Sequence, residues 1–564
     1  MKKTIFLILA FISVLGASAS TTWDLQGVKY TVDTVYHAYI GPGTTQTELK
    51  LSGAVNLKVF YTTTDLTNDK VGLRVIMGKD NLTSTVTVPN MPQYHGDTSN
   101  MFFAGVNADF FSTGPIGTTV ANNILYKSYK GTGWYGFAVD KNKKPYIGAP
   151  YTTFKMVSPN GGQFSIKAVN GTRSSNELIL YTSVKGSTTG TNTSGTEVGA
   201  VAVDGGLKSN GTTKMRVTVA PVKGVGNMSI PAGGCVLSGN GFMEASLAKM
   251  QVGEEFEITP TIYMDNVEIS NIVEMAGGCP VLLKGGVIQN TQGLLDHLVT
   301  RQPRTAVGYN TTGDKLVMLV VDGRQSGISE GVTSRDLAAI MANVGCSEAL
   351  NFDGGGSTTM YVKELGVRNT PSEGSLRPVK DGLFLSTPTT SNRSIASIRF
   401  VDYVKNATKG TVYNPVIYGY NTDGVLVNSS VAGFSLSCGS SLGTVSSSGT
   451  SVTLSGSGTQ ALVANYGGLT ATIPVTIIDN SGINDVETST KPHIYPNPAI
   501  KGEICEIFVS KITEVSIFNI NGQLMSSIQG DGELEIPTDN LSQGIYLVKI
   551  TDSERTITDK LIIK

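Results

Sequence analysis

Charge is scarce in this chain. Asp, Glu, Lys and Arg make up 15% of the 564 residues and nearly cancel, leaving a formal net charge of −1, where a quarter charged is usual. Without a positive surplus there is no bulk attraction to nucleic acid, and no basic patch interleaved with aromatics is present. Histidine is rarer still. His37, His95, His297 and His493 stand far apart, with neither an HExxH motif nor paired cysteines, which leaves no zinc framework. Five cysteines give no disulfide framework either: Cys235, Cys279 and Cys346 allow at most one bridge, and Cys438 and Cys505 each sit alone. Cys346, between a helix and a strand, reads as a buried free thiol. Beyond the N-terminus no apolar run is long enough to span a bilayer.

Gly, Ser and Thr are abundant instead, the texture of an extracellular β-rich protein, and the length suggests three or four domains. At the N-terminus Lys2 and Lys3 precede the apolar run Ile5–Gly16, and Ala17-Ser18-Ala19 supplies small residues for cleavage. That is a signal peptide over 1–19, with a mature chain starting near Ser20 and no cysteine there for a lipid anchor. The expected location is secreted or at the cell surface, without a membrane span.

The densest chemistry is in EALNFDGGGSTTMYV (348–362). An apolar strand runs into Asp353, then Gly354, Gly355 and Gly356, then Ser357, Thr358 and Thr359. Each glycine costs about 0.5–1 kcal/mol to order relative to alanine, so three together suggest bare backbone wrapped around a ligand. Successive N–H groups can form an anion-binding nest, to which the hydroxyls add donors; a tight turn is the competing reading.

Upstream, 315–345 reads as strand, loop and helix. Leu316–Val321 is continuously apolar, as in a strand covered on both faces, and ends in Asp322-Gly323. Thr333 with Asp336 three residues later is a capping-box start; Leu337, Ile340, Met341 and Val344 recur at helical spacing, and Gly345 is the stop. A strand–helix–strand crossover makes its strands parallel, so Asp322 and Asp353 should share one carboxyl edge, where ligands collect. A further apolar run, 101–111, ends in Asn107 and Asp109.

At these residues the chain resembles the phosphodiester glycosidase family. The shared blocks are GVNADFF (105–111), VNGTR (169–173), RQPRTAVGY (301–309), VDGRQSGISEGVT (321–333), NFDGGGSTTM (351–360) and NTPSEGSLRPV (369–379). The family often has two glycines where this chain has Ala108 and Asp109, and a smaller residue where it has Thr358. The resemblance implies hydrolysis of a sugar-1-phosphodiester, of the GlcNAc-1-phosphodiester kind, in a glycan or wall polymer.

Such a substrate needs donors for its phosphate and carboxyls at its anomeric bond. Arg304, the Gly354–Gly356 backbone and Ser357 are the expected phosphate ligands, with Arg324 and Arg377 as further candidates, because a guanidinium fork grips phosphate bidentately. Arg304 read blandly is a structural ion pair, and Arg324 a solvated loop residue. Asp353 and Asp322 are the candidate acid/base or nucleophile pair, with Glu197 and Glu330 in reserve. Asn107, Asp109, Asn170, Arg173 and Thr359 would position sugar or phosphate, although Asn170 before Gly171 is equally a turn residue. Hard oxygens at loop ends suit Ca²⁺, but no compact calcium-loop spacing is present, and a metal-independent reaction is favoured. Two rivals remain open: a non-catalytic surface protein that binds glycan or phosphate, and a phosphodiesterase that cuts the P–O bond.

After the region 20–390 the texture changes. Short alternating strands over 393–479 read as a β-sandwich resembling bacterial immunoglobulin-like modules, and 480–491 is a polar linker. The segment 492–564 contains YPNP, FNINGQ, GIYLVKI and a final Lys. It resembles the C-terminal sorting domain of the type IX secretion system of Bacteroidetes, which would make that machinery a partner in export. The expected fold is α+β: a largely antiparallel, β-rich catalytic body with at least one parallel crossover carrying the acids, then two small all-β domains. Helix should be confined to 333–345 and Gly293–Thr300.

Overall fold

A computed structural model describes residues 21–564 except 96–98, 130, 158–163, 204, 290–298, 389–391, 403–404, 479–493, 496, 500, 503, 520–521 and 553–555. The expected signal peptide, the expected 480–491 linker and most of the expected helix at Gly293–Thr300 lie outside the described residues. The chain divides into two units, Met1–Asp479 and Asn480–Lys564.

Eight elements of the first unit build the site. In chain order they are β1 (Asn56–Asp65), β2 (Met101–Asn107), β3 (Arg304–Tyr309), β4 (Lys315–Val321), α1 (Ser334–Asn343), β5 (Glu348–Asn351), β6 (Met360–Val362) and β7 (Asp381–Thr387). The apolar run of β4 behaves as its composition demands. Val317, Leu319 and Val321 pack with Leu337, Ile340 and Met341 of α1, while Leu316, Met318 and Val320 join a second core containing Phe103, Val106 and Leu383. Helix α1 begins where its box predicts: the Asp336 N–H donates to Thr333 Oγ1 at 3.1 Å and the Thr333 N–H to Asp336 Oδ2 at 3.2 Å. A six-residue helix at Phe242–Leu247 was not expected from the sequence.

A nine-stranded sheet runs Thr21–Leu25, Val28–Gly41, Thr44–Ser52, β1, β4, β3, β5, Val281–Lys284 and Val287–Ile288. Strand β3 is antiparallel to both β4 and β5, so β4 and β5 point the same way. The crossover through α1 is therefore parallel as expected, but it skips one position, and β3 fills the gap. Arg304 begins β3 opposite Val321, the end of β4, which brings Arg304 to the edge where the two acids leave their strands. The second sheet runs Gly366–Val367, β6, β2, β7 and Gly72–Met77, all antiparallel. Its Gly382 pairs with Asn107, so the start of β7 lies at the end of β2. The strand-rich body with its parallel crossover through α1 is the α+β architecture read from the sequence.

An eight-stranded sheet between Pro150–Val157 and Ile166–Val169 and a five-stranded one around Ile272–Gly278 complete the body. Strands between Ser397 and Ile478 form three small sheets around one core. The Tyr420 hydroxyl donates to the Tyr39 carbonyl at 2.9 Å, and Arg399 lies 4.4 Å over the Tyr39 ring, seating this part on the body. In the second unit, Ile504–Asn519 pairs with Ile494–Tyr495, Leu524–Pro537 and Gly544–Thr551, and the last of these with Thr556–Ile563. Cys235, Cys279, Cys346 and Cys438 are free thiols; Cys346 is buried, and burial pushes its thiol up to about 12. Among the described residues no helix is long and apolar enough to cross a membrane.

Candidate active site

Three acids from three strand ends meet behind the glycine loop. Asp353 follows β5; its N–H donates to the Ala108 carbonyl at 2.8 Å, joining the end of β5 to the end of β2. Burial lifts its carboxyl to about 6, against the Ser357 hydroxyl, the Arg377 charge and the Gly354 N–H, which favour the anion. Asp353 keeps part of its surface exposed.

Asp109 is 1% exposed. Its Oδ2 accepts from the Gly117 N–H at 2.6 Å and its Oδ1 from the Trp134 indole at 3.1 Å. Burial drives it up to about 7 despite those donors and Lys127, and the Asp353 charge pushes the same way. Gly277 is needed beside it: an added Cβ would lie 2.4 Å from Asp109 Oδ2. Asp381 opens β7 fully buried, and its Oδ1 accepts from the Asp109 N–H at 3.0 Å. Its Oδ2 is buried without a hydrogen-bond partner among the described residues. Burial, then the Asp109 charge, hold Asp381 well above the ordinary carboxylate range. Lys127 is the nearby cation; its Nζ donates to the Pro115 carbonyl, and burial lowers its pKa.

Asn107 fixes this arrangement from below. Its Nδ2 donates to the Asp353 carbonyl at 2.7 Å, and its Oδ1 accepts from Thr305 Oγ1 at 2.8 Å and the Thr359 N–H at 3.0 Å. Asn107 and Thr359 are buried braces of the loop, not groups open to a sugar.

The glycine loop is built differently from the open nest expected. Gly355 adopts a φ of 61°, which glycine alone takes freely, and the loop closes as a 3-10 turn over Gly355–Ser357. The Gly355 N–H donates to the Pro303 carbonyl at 2.9 Å, and that of Gly354 binds the Asp353 carboxylate. Those donors satisfy the protein's own acceptors. Close approach is what the glycines permit: a Cβ at Gly355 would meet Arg324 Nη2 at 3.0 Å, and one at Gly356 would meet Arg377 Nη2 at 2.4 Å. Two arginines thus lie against the loop. Arg324 is exposed, with Nε on Gln302 Oε1 at 2.8 Å, and Arg377 is part-exposed, with Nη1 3.5 Å from Ser357 Oγ.

Asp322 and Arg304 stand one step behind. Asp322 is 0% exposed; the Thr370 N–H donates to both its oxygens at 3.0 and 3.2 Å, and Asn369 Nδ2 to one at 3.4 Å. Strands two positions apart are separated by about 10 Å, wider than the carboxyl spacing a retaining glycosidase uses. Asp322 anchors the 369–379 segment through the Thr370 and Asn369 donors. Arg304, 2% exposed, donates from Nε to the Val332 carbonyl at 3.1 Å and from Nη2 to that of Thr300 at 2.8 Å, and burial pulls it down to about 10. It clamps loops where a phosphate contact was expected.

The VNGTR residues serve the eight-stranded sheet. Asn170 bonds the Tyr126 carbonyl and both donor and acceptor groups of Thr182. Arg173 reaches Ser238, Asn192 and Ser194 and faces Glu197 at 3.9 Å. Glu330 accepts from the Gly327 N–H in a turn. Sequence reasoning missed Asp381, Lys127, Trp134 and Glu373. Asp381-Gly382 is an Asp-Gly step like those at Asp322 and Asp353, hidden because it starts a strand; antiparallel pairing with β2 carries it to the shared edge. Among the described residues no group of three or more His, Cys, Asp or Glu is arranged to hold a metal ion.

Residues 198–386 match the phosphodiester glycosidase family, and residues 493–564 match the secretion system C-terminal sorting domain. An uncharacterised prophage-derived protein of Bacillus subtilis is 31% identical over 143 residues, covering 23% of this chain and 21% of that protein; the chain thus spans only a small part of the curated relative it matches. A putative exported protein of Burkholderia pseudomallei aligns at 17% identity and a TM-score of 0.49, over 65% of this chain and 100% of that one. A hypothetical protein of Synechocystis gives 16% and 0.49, over 61% and 62%. The catalytic domain of zebrafish N-acetylglucosamine-1-phosphodiester alpha-N-acetylglucosaminidase gives 13% and 0.33, over 63% and 87%. The chain carries a phosphodiester glycosidase domain, of a hydrolase family, and ends in a type IX sorting domain that marks it for export to the outside or surface of the cell.

Proposed function

We propose that the protein is an exported hydrolase that cleaves the glycosidic bond of a sugar-1-phosphodiester in a glycan or wall polymer, with Asp353 as the reacting carboxylate. One observation carries the reading. Asp353 is the only member of the acid cluster with exposed surface, and it lies beside a loop flanked by Arg324 and Arg377.

Arg324 and Arg377 receive the phosphate, and their charge offsets the negative charge that grows on it as the C–O bond breaks. The departing phosphomonoester has a second pKa near about 6, so it leaves with little need of a proton from an acid. What remains is to deliver an oxygen to the anomeric carbon. Asp353, titrating at about 6, is an anion at neutral pH and can attack directly or take a proton from water. Asp109 and Asp381 behind it hold their protons more firmly than ordinary carboxyls, which limits like-charge repulsion around the reacting anion. Regions 20–390, 393–479 and 492–564 are read as catalytic body, β-module and sorting domain.

Hydrolysis of GlcNAc-α-1-phosphodiester by the full chain, beside its Asp353→Asn variant, tests the reading. Free sugar should come from the wild type, with turnover down by about a thousandfold in the variant at unchanged circular dichroism. In heavy-oxygen water the label should enter the sugar. Label in the phosphate would mean P–O cleavage, and wild-type rates in Asp353→Asn would remove that residue from the chemistry.

A further inference from the structure

Glu373 is an acid at the mouth of the site with no part in the reaction above. It lies in the 369–379 segment, which is tied to Asp322 through the Thr370 N–H and the Asn369 amide. From that anchor the segment crosses the glycine loop through a turn, where the Gly374 N–H donates to the Pro371 carbonyl at 3.2 Å with Gly374 at a φ of 74°. A Cβ at Gly356 would meet Glu373 Cδ at 2.3 Å and Arg377 Nη2 at 2.4 Å, so both side chains rest on that glycine's backbone. They are also closed on each other. Arg377 Nε donates to Glu373 Oε2 at 3.1 Å and Nη2 to Oε1, while the remaining amino group faces Ser357. Ser357 in turn holds Asp353.

We infer that Glu373 keeps, in the free enzyme, the place that the substrate's phosphate takes: its carboxylate fills the Arg377 fork above Gly356, and the phosphodiester must displace it to reach Asp353. A carboxylate and a phosphate present the same paired oxygens to a guanidinium, and two anions do not share one fork. Arg377 and Glu373 side chains are 38% and 39% exposed, so the pair is weakly held and Glu373 can swing into water. The device is an internal competitor. It neutralises Arg377 and sets the threshold that an incoming anion must exceed, which selects phosphodiesters over weaker anions. It rests on the reading that a phosphodiester is the substrate.

The test measures binding of inorganic phosphate to the full chain by calorimetry, in the wild type and in Glu373→Gln. Removing the competing charge should tighten phosphate binding by about fivefold, and Arg377→Gln should abolish it. Glu373→Asp, one methylene too short for the fork, should shift binding in the same direction and guards against a folding defect in the first variant. Unchanged or weaker phosphate binding in both Glu373 variants overturns the inference. So does a collapse of kcat in Glu373→Gln at unchanged phosphate affinity, which would make Glu373 a proton-transfer group. Sugar release measured in parallel keeps the two ideas apart. Hydrolysis with no change in phosphate affinity sinks the competitor alone; tightened phosphate with no hydrolysis of any ester sinks the glycosidase and leaves the competing anion.

Discussion

Glu197 and Asp353 are both acids with an arginine beside them, and their surroundings differ in kind. Glu197, 1% exposed, accepts from Ser238 and Thr191, each at 2.7 Å, from the Met228 N–H at 2.9 Å and from Thr189 at 3.4 Å, and it faces Arg173. Every lone pair has a fixed protein partner, so the group has no capacity left for a substrate. Asp353 has fewer donors, shares its surroundings with two other buried acids, and is held at about 6. A saturated polar cluster specifies structure, whereas an acid short of partners, with its pKa moved into the working range, is available for chemistry. Burial with a census of donors thus separates two acids of the same chemical kind.

The largest effect that would break this contrast is on stability. Glu197→Ala leaves Arg173 buried without its acid and should cost about 3–5 kcal/mol, read as a drop in Tm. Folded molecules of that variant should keep the wild-type kcat; a loss of kcat at full folding would return Glu197 to the active site. Asp322→Asn should cost less, about 1–3 kcal/mol in chemical denaturation, because one acceptor for the Thr370 N–H is lost. It should also raise KM by loosening the segment that carries Arg377, while a pure kcat effect would make Asp322 a reacting group after all.

The smallest effect sharpens the comparison from the acid side. Asp109 and Asp353 sit at about 7 and about 6 in the folded chain, above the ordinary 3.8, so between those values the native state binds more protons than the unfolded one. The stability this contributes is complete below the unfolded pKa and is lost as pH rises through the folded values. Asp381→Asn removes one acid whose pKa is raised on folding, so thermal stability should fall less between pH 5 and pH 8 than in the wild type. An unchanged difference between the two pH values would mean that folding does not raise the Asp381 pKa.

Much of this was legible in residue order. The box Thr333–Asp336 and the stripe Leu337, Ile340 and Met341 rest on local hydrogen bonding and helical period, and α1 follows them. Continuous apolarity in β4 predicted cover on both faces, which α1 and the second sheet supply. The insertion of β3 between β4 and β5 was not legible, because strand pairing at long separation leaves no mark in either segment. That one strand places the strands leading to Asp322 and Asp353 two positions apart in the sheet. The fate of the glycine N–H groups was equally hidden: the Pro303 carbonyl that takes the Gly355 donor comes from a distant segment.

By itself the sequence determined the strand, capped helix and strand from Lys315 to Asn351, the acids at strand ends and the family blocks, since these depend on neighbours a few residues away. Tertiary structure alone decided which acid keeps an open face, which are sealed by Thr370 or Trp134, and that Asp381 joins them. Those outcomes depend on which backbone donors from distant strands arrive at each carboxylate, and only the packed sheets fix that.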